Sequence, residues 1–209
     1  MKKTLTVLLA LVLVIAMSVA GTMAYLTSTD TVTNTFTVGK VQITMDEADV
    51  NEYGQKLNAD GNVAQENDTL ATRVDKNTYK LIPGHEYVKD PIVHVDADSE
   101  NSWVFVKVTN DISAIIDTAN TLDAQIEANH WTKLETGVYY KEYTKGQDDK
   151  DLEVFESFKL TGNADVASYN AQTIVVNAYA IQKDGFDTPA AAWAELNPAP
   201  ATTPTTPGT

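Results

Sequence analysis

The residues closest to a catalytic spacing are His85-Glu86-Tyr87-Val88-Lys89. A zinc protease of the helical type sets two histidines four positions apart on one helix face, with a glutamate beside the first as general base. Here the first histidine and the glutamate are present, and Lys89 stands where the second histidine should be. A protonated amine has no lone pair for a metal. Pro83-Gly84 before the segment and Asp90-Pro91 after it suit a loop or short strand better than a helix. His94 can approach His85 in a fold, and His130 is the third histidine. Isolated histidines in so acidic a chain read as ordinary polar positions.

The chain has no cysteine, which excludes a thiol nucleophile, a thiolate metal site and a disulfide scaffold together. Its serines have no neighbouring constellation to activate a hydroxyl, and no phosphate loop or dinucleotide fingerprint occurs. Carboxylate pairs such as Asp46-Glu47 and Asp148-Asp149 are too common here to mark a glycosidase. Asp96-Ala97-Asp98-Ser99-Glu100 and Asn58-Ala59-Asp60-Gly61-Asn62 set oxygens at alternate positions, as calcium loops do. Counted from Asp96, position 6 is Asn101 instead of glycine and position 12 is Lys107 instead of glutamate, so these segments read as turns. The expectation is a protein that is not an enzyme, with no catalytic residue, no cofactor and no metal site.

The N-terminus carries a different chemistry, that of processing. Basic Met1-Lys2-Lys3, an apolar run over 5–20 and the small residues Thr22 and Ala24 make a secretory signal cleaved before Tyr25. Segment 1–24 is thus expected to be a signal-peptide helix, and the protein to be secreted. The apolar run is shorter than the roughly 20 residues of a membrane span, so no span is expected after cleavage. The remaining 185 residues suffice for one sizeable core. Loss of Lys2 and Lys3 takes the formal charge from -14 to -16. Such a surface repels phosphate and excludes nucleic acid as a partner. At the other end, the Pro/Thr-rich tail 197–209 cannot bury a core and is expected to be disordered. No wall-sorting motif closes the chain, so surface retention would come from assembly or binding.

Between these ends the pattern is that of strands. Over 31–38 threonine occupies every odd position, while Val32, Phe36 and Val38 share the other face. Period-2 alternation of this kind predicts a strand with one buried face. A second follows at 41–45, and 47–78, poor in large apolar residues and marked by Asp60-Gly61, reads as a surface insertion. Further strands are predicted at 79–82, 92–95, 102–108, 131–134, 137–143, 152–160 and 173–182, with short helices at 122–128 and 190–196. In 102–108 both faces are apolar, which suggests a strand in the middle of a sandwich. The fold expected is all-β, an antiparallel jelly-roll-like β-sandwich over 25–196 with one or two short helices; a barrel is the alternative.

Gly21-Thr22-Met23-Ala24-Tyr25-Leu26-Thr27-Ser28-Thr29-Asp30, followed by Val32-Thr33-Asn34-Thr35-Phe36-Thr37-Val38-Gly39, resembles the N-terminus of exported proteins handled by the dedicated signal peptidase SipW. That family includes the biofilm fibre protein TasA and the camelysin-like proteins. Leu81-Ile82-Pro83-Gly84, Lys89-Asp90-Pro91, Val104-Phe105-Val106-Lys107-Val108, Ala178-Tyr179-Ala180-Ile181-Gln182, Asp184-Gly185-Phe186 and Ala192-Trp193 extend the likeness over most of the mature chain. Insertion 47–78 and the tail have no counterpart in it. The resemblance implies a secreted jelly-roll subunit of the extracellular or biofilm matrix. Such a subunit would be cut by signal peptidase and self-associate into fibres by lending its N-terminal strand to a neighbour. The donor would be 25–38, with Tyr25, Leu26, Val32, Phe36 and Val38 as its assembly residues, and main-chain hydrogen bonds would supply much of the affinity. A metallopeptidase label comes with the camelysin-like members, against which Lys89 already stands. The remaining alternative is a monomeric secreted adhesin or binding module, using insertion 47–78 and aromatic positions such as Tyr53 or Trp131.

Overall fold

The computed structural model describes residues 40–197. The expected signal peptide 1–24, the donor strand 25–38 and the tail from 198 onward lie outside them. The described strands are β1 (Ile43–Asp46), β2 (Glu86–Val88), β3 (Ile92–Val95), β4 (Ser102–Asn110), β5 (Thr132–Glu135), β6 (Val138–Tyr143), β7 (Asp151–Glu153), β8 (Ser157–Lys159) and β9 (Ile174–Gln182). Two α-helices, α1 (Leu122–Ala128) and α2 (Pro189–Leu196), and two 3-10 turns complete the set.

The expectation of an all-β jelly-roll-like sandwich is corrected here. The fold is mixed α/β with three separate antiparallel sheets, ordered β1-β3-β7, β2-β8 and β5-β6-β4-β9, and none closes into a sandwich or a barrel. Two features of the chain account for the difference. The stretch 152–160, expected as one strand, breaks at Val154–Glu156, and its halves enter different sheets. β4 does have two buried faces, but they are covered by different partners. Val104 and Val106 face the main core with Val93, Leu152, Tyr139 and Phe158. Trp103 and Phe105 face Ala192 and Trp193 of α2. A helix thus takes the place of the second sheet, which the alternation of β4 cannot reveal, because any apolar cover satisfies it.

The remaining elements follow local chemistry. α1 is capped by Thr121, whose Oγ1 accepts from the Ala124 N–H at 3.2 Å. Thr121→Ala should lower stability by about 1 kcal/mol, read from urea unfolding; an unchanged midpoint would show that this cap contributes nothing. Segment 79–82, expected as a strand, belongs to no sheet. Insertion 47–78 is only partly superficial, since Glu47, Ala48 and Val50 are buried and isolated bridges such as Glu47 to Val74 fold it back on β1. Gly54 shows how closely it packs. At φ +71°, a Cβ there would stand 2.6 Å from the Tyr87 Cα of β2, so only glycine fits.

Candidate functional site

His85 and Lys89 are held by partners of their own. His85 precedes strand β2, and its Nε2 lies 2.9 Å from the Tyr53 carbonyl. Lys89 is paired with Glu47 at 2.5 Å. The segment is extended, so the two positions do not share a helix face. In the first supposed calcium loop, Asp96 Oδ1 accepts from the Asp98 N–H at 2.9 Å; in the second, Asn58 Oδ1 accepts from the N–H groups of Asp60 and Asn62. Both are turns that use their own oxygens. Among the described residues no group of three or more His, Asp or Glu side chains could hold a metal. Trp131, proposed as a contact residue, is buried, and its indole N–H donates to the Glu153 carbonyl at 2.7 Å. Tyr53 is half-buried under Lys80.

What the fold leaves open is a seam between two sheets. β1 is an outer strand of the three-stranded sheet and β9 an outer strand of the four-stranded one. A depression of about 240 Å³ runs between them, lined by Ile43, Thr44 and Met45 on one side and Val176, Asn177, Ala178 and Tyr179 on the other. That is below the roughly 300–1,000 Å³ of small-molecule pockets, so it suits side chains of a chain segment better than a ligand. Ile43, Met45, Val176 and Ala178 pack against the main core and remain only half-buried.

The phase of the ladders shows where the backbone groups of these strands point. Lys183 N–H donates to the Asn101 carbonyl at 2.8 Å and Asp111 N–H to the Thr173 carbonyl at 2.9 Å. In an antiparallel pair the bonded positions recur every second residue, so the odd-numbered residues of β9 bond β4. Val176 and Ala178 therefore turn N–H and C=O away from β4, toward the seam. By the same rule the Asp96 N–H, donated to the Gln42 carbonyl at 2.9 Å, sets Thr44 and Asp46 against β3. The backbones of Ile43 and Met45 then face the seam as well, and among the described residues β1 pairs with no strand but β3. Among the described residues, two strand edges without a ladder partner thus border one gap, each with apolar side chains beneath.

The outer face of β1 is held by charge. Arg73, the only arginine of the chain, reaches from insertion 47–78 to Asp46 Oδ1 (2.5 Å) and to the Asp90 carbonyl oxygen (2.7 Å). Asp90, buried, also accepts from the Ala48 N–H at 2.7 Å and pairs with Lys56 at 3.0 Å. Burial pushes the Asp46 carboxyl up, but hydrogen bonds from Arg73 and His94 outweigh it and hold the group below the usual range. Burial likewise opposes the charge of Arg73, and Asp46 and Asp90 reverse the effect. These side chains come from positions 46, 73, 90 and 94, whose separations follow no motif. The single arginine was the one signal in the sequence that could have pointed to them.

A larger groove of about 870 Å³ lies beyond the seam, lined by Tyr79, Leu81, Phe158, Tyr169 and others, and reaching Ile174 at the start of β9. The processing residues Thr22, Ala24 and Tyr25 and the strand residues Leu26, Val32, Phe36 and Val38 lie outside the described residues. No described helix is long and apolar enough to cross a membrane. Comparison with protein-family models, curated proteins and solved structures gives no match.

Proposed function

We propose that the chain is a secreted, non-catalytic structural protein of the extracellular matrix, in which segment 25–38 of one copy enters the seam between β1 and β9 of the next. The observation that carries this reading is the pair of strand edges at Ile43, Met45, Val176 and Ala178, without a ladder partner among the described residues, across one gap. Strand addition needs a row of free N–H and C=O groups and pockets for alternate side chains. The incoming segment has the required form: Val32, Phe36 and Val38 on one face to meet the half-buried core, threonines on the other to meet water. Its length also fits. Eight residues over 31–38 extend about 26 Å, against the nine-residue edge of β9. Cleavage before Tyr25 would free the segment, so signal peptidase would act as the step that makes the chain competent to assemble.

One feature favours a second reading, a monomeric binding module. The larger groove has the volume of a ligand site and an aromatic lining from Tyr79, Phe158 and Tyr169. The decisive comparison is between mature chain 25–209 and chain 39–209, by size-exclusion at several concentrations and by electron microscopy. Fibres from the longer chain and a folded monomer from the shorter one are expected. Fibres from 39–209 would refute strand donation, and a mature chain that stays monomeric throughout would leave the binding module.

A further inference from the structure

His94 projects from the middle of β3 onto the outer face of the three-stranded sheet, directly opposite Thr44 of β1 and Asp151 of β7. Its Nδ1 lies 2.7 Å from Asp151 Oδ1 and its Nε2 lies 3.1 Å from Asp46 Oδ1. A neutral imidazole has one N–H and one lone pair. Held between two carboxylates, it would turn that lone pair on an anionic oxygen, whichever tautomer it took. Only the imidazolium, with a proton on each nitrogen, satisfies both contacts.

We infer that His94 is a proton-dependent brace for β1: its imidazolium ties β1 to β7 across β3, and loss of one ring proton loosens the edge strand that forms one wall of the seam. This concerns β1 itself and holds whether or not the seam receives a strand. The groups facing His94 settle which contact gives way. From β1 there is Asp46, from β7 Asp151, and Thr44 opposite is neutral. From insertion 47–78 comes Arg73, which shares Asp46 Oδ1 and stays charged at every pH of interest. Beyond it Asp90 is held by Arg73 and Lys56. Asp46 therefore keeps a cationic partner after His94 loses its charge, and the clasp of the insertion survives. Asp151 is largely exposed and returns to water. What is lost is the tie across the sheet.

Partial burial of the ring disfavours its charge, but the hydrogen bonds it donates to Asp151 and Asp46 outweigh this and raise the pKa above the ordinary 6.5. A group raised in the folded state contributes stability that is complete below its unfolded value and is lost as pH rises through the folded one. The brace therefore works at neutral and mildly acid pH and weakens in alkali. Asp46, whose pKa is lowered, acts in the opposite sense and fails only as pH falls through its folded value, below the ordinary 3.8.

The test uses the mature chain and reads the His94 ring by NMR titration and the Thr44 and Asp46 amides by hydrogen exchange. Wild type and His94→Gln are compared at about pH 6 and about pH 9, with rates corrected for intrinsic exchange. Wild type is expected to titrate above 6.5 and to lose about tenfold in amide protection between the two conditions. His94→Gln is expected to show the weaker protection at both. Asp151→Asn, at an exposed position that keeps the fold, should lower the titration point of the ring. A His94 that titrates at or below the ordinary value, or protection independent of pH in wild type, would overturn the inference. Neither result would bear on fibre formation, which the truncation experiment decides separately.

Discussion

Asp90→Ala is expected to lower stability by about 3 kcal/mol, which for a domain of this size is a fall of roughly 6–12 °C in melting temperature. Asp90 is a buried carboxylate that serves three donors from the insertion: the Ala48 N–H, the Lys56 ammonium and the Arg73 guanidinium. Removing it takes the acceptor from a buried amide, and a donor left unsatisfied costs about 1–3 kcal/mol. It also leaves Lys56 without its carboxylate and takes one of two from Arg73, which keeps Asp46 and the Asp90 main-chain carbonyl. Lys56 and Arg73 are partly exposed, so water compensates some of that loss, which is why the estimate sits at the lower end for breaking a buried pair. Asp90→Asn keeps an acceptor for Ala48 and should lose about half as much. Thermal unfolding followed by circular dichroism measures both. A loss under about 1 kcal/mol for Asp90→Ala would mean that the insertion is held by packing and that the charge cluster is incidental.

The elements that local pattern dictates are legible in the sequence. β3, β6, β9 and α1 fall within a residue or so of the alternation and capping signals that predict them. The assembly of those elements is not. In 152–160 the buried residues Leu152, Val154, Phe158 and Leu160 keep one phase throughout, and the buried Phe155, next to Val154, falls out of it. A single strand cannot bury two neighbours on one face, and the adjacent buried pair Val154 and Phe155 marks the break between β7 and β8. The two-sided strand β4 was harder, because the alternation of Trp103, Phe105 and Val104, Val106 is identical whether a sheet or a helix lies on the far side. The seam is less legible still. Its unpaired groups at Ile43, Met45, Val176 and Ala178 arise from the phase of ladders with β3 and β4, a property of pairing between segments far apart in the chain. Any alternating strand offers both phases until its partner is known.

That phase yields the sharpest expected result on the proposed function. Ala178→Pro removes an N–H that points into the seam and takes no part in the β4 ladder. Proline is tolerated on an edge strand when its missing donor faces outward, so the substituted chain should fold, with a melting temperature within a few degrees of wild type. Toward an incoming strand the same change acts twice: a donor is gone, and the ring stands where the partner's carbonyl must approach. Losing about 2.7 kcal/mol of association raises the concentration needed for assembly by about 100-fold. Asn177→Pro, one residue away, takes out a donor that β4 does use and should destabilise the chain itself. The contrast between adjacent positions separates a blocked edge from a damaged sheet. Turbidity and electron microscopy over a concentration series measure the first, thermal unfolding the second. If Ala178→Pro forms fibres at the wild-type concentration, β9 is not the edge that receives the strand. If both substitutions unfold the chain equally, the alternation of bonded and free groups along β9 is misassigned, and the seam loses the property that makes it an acceptor.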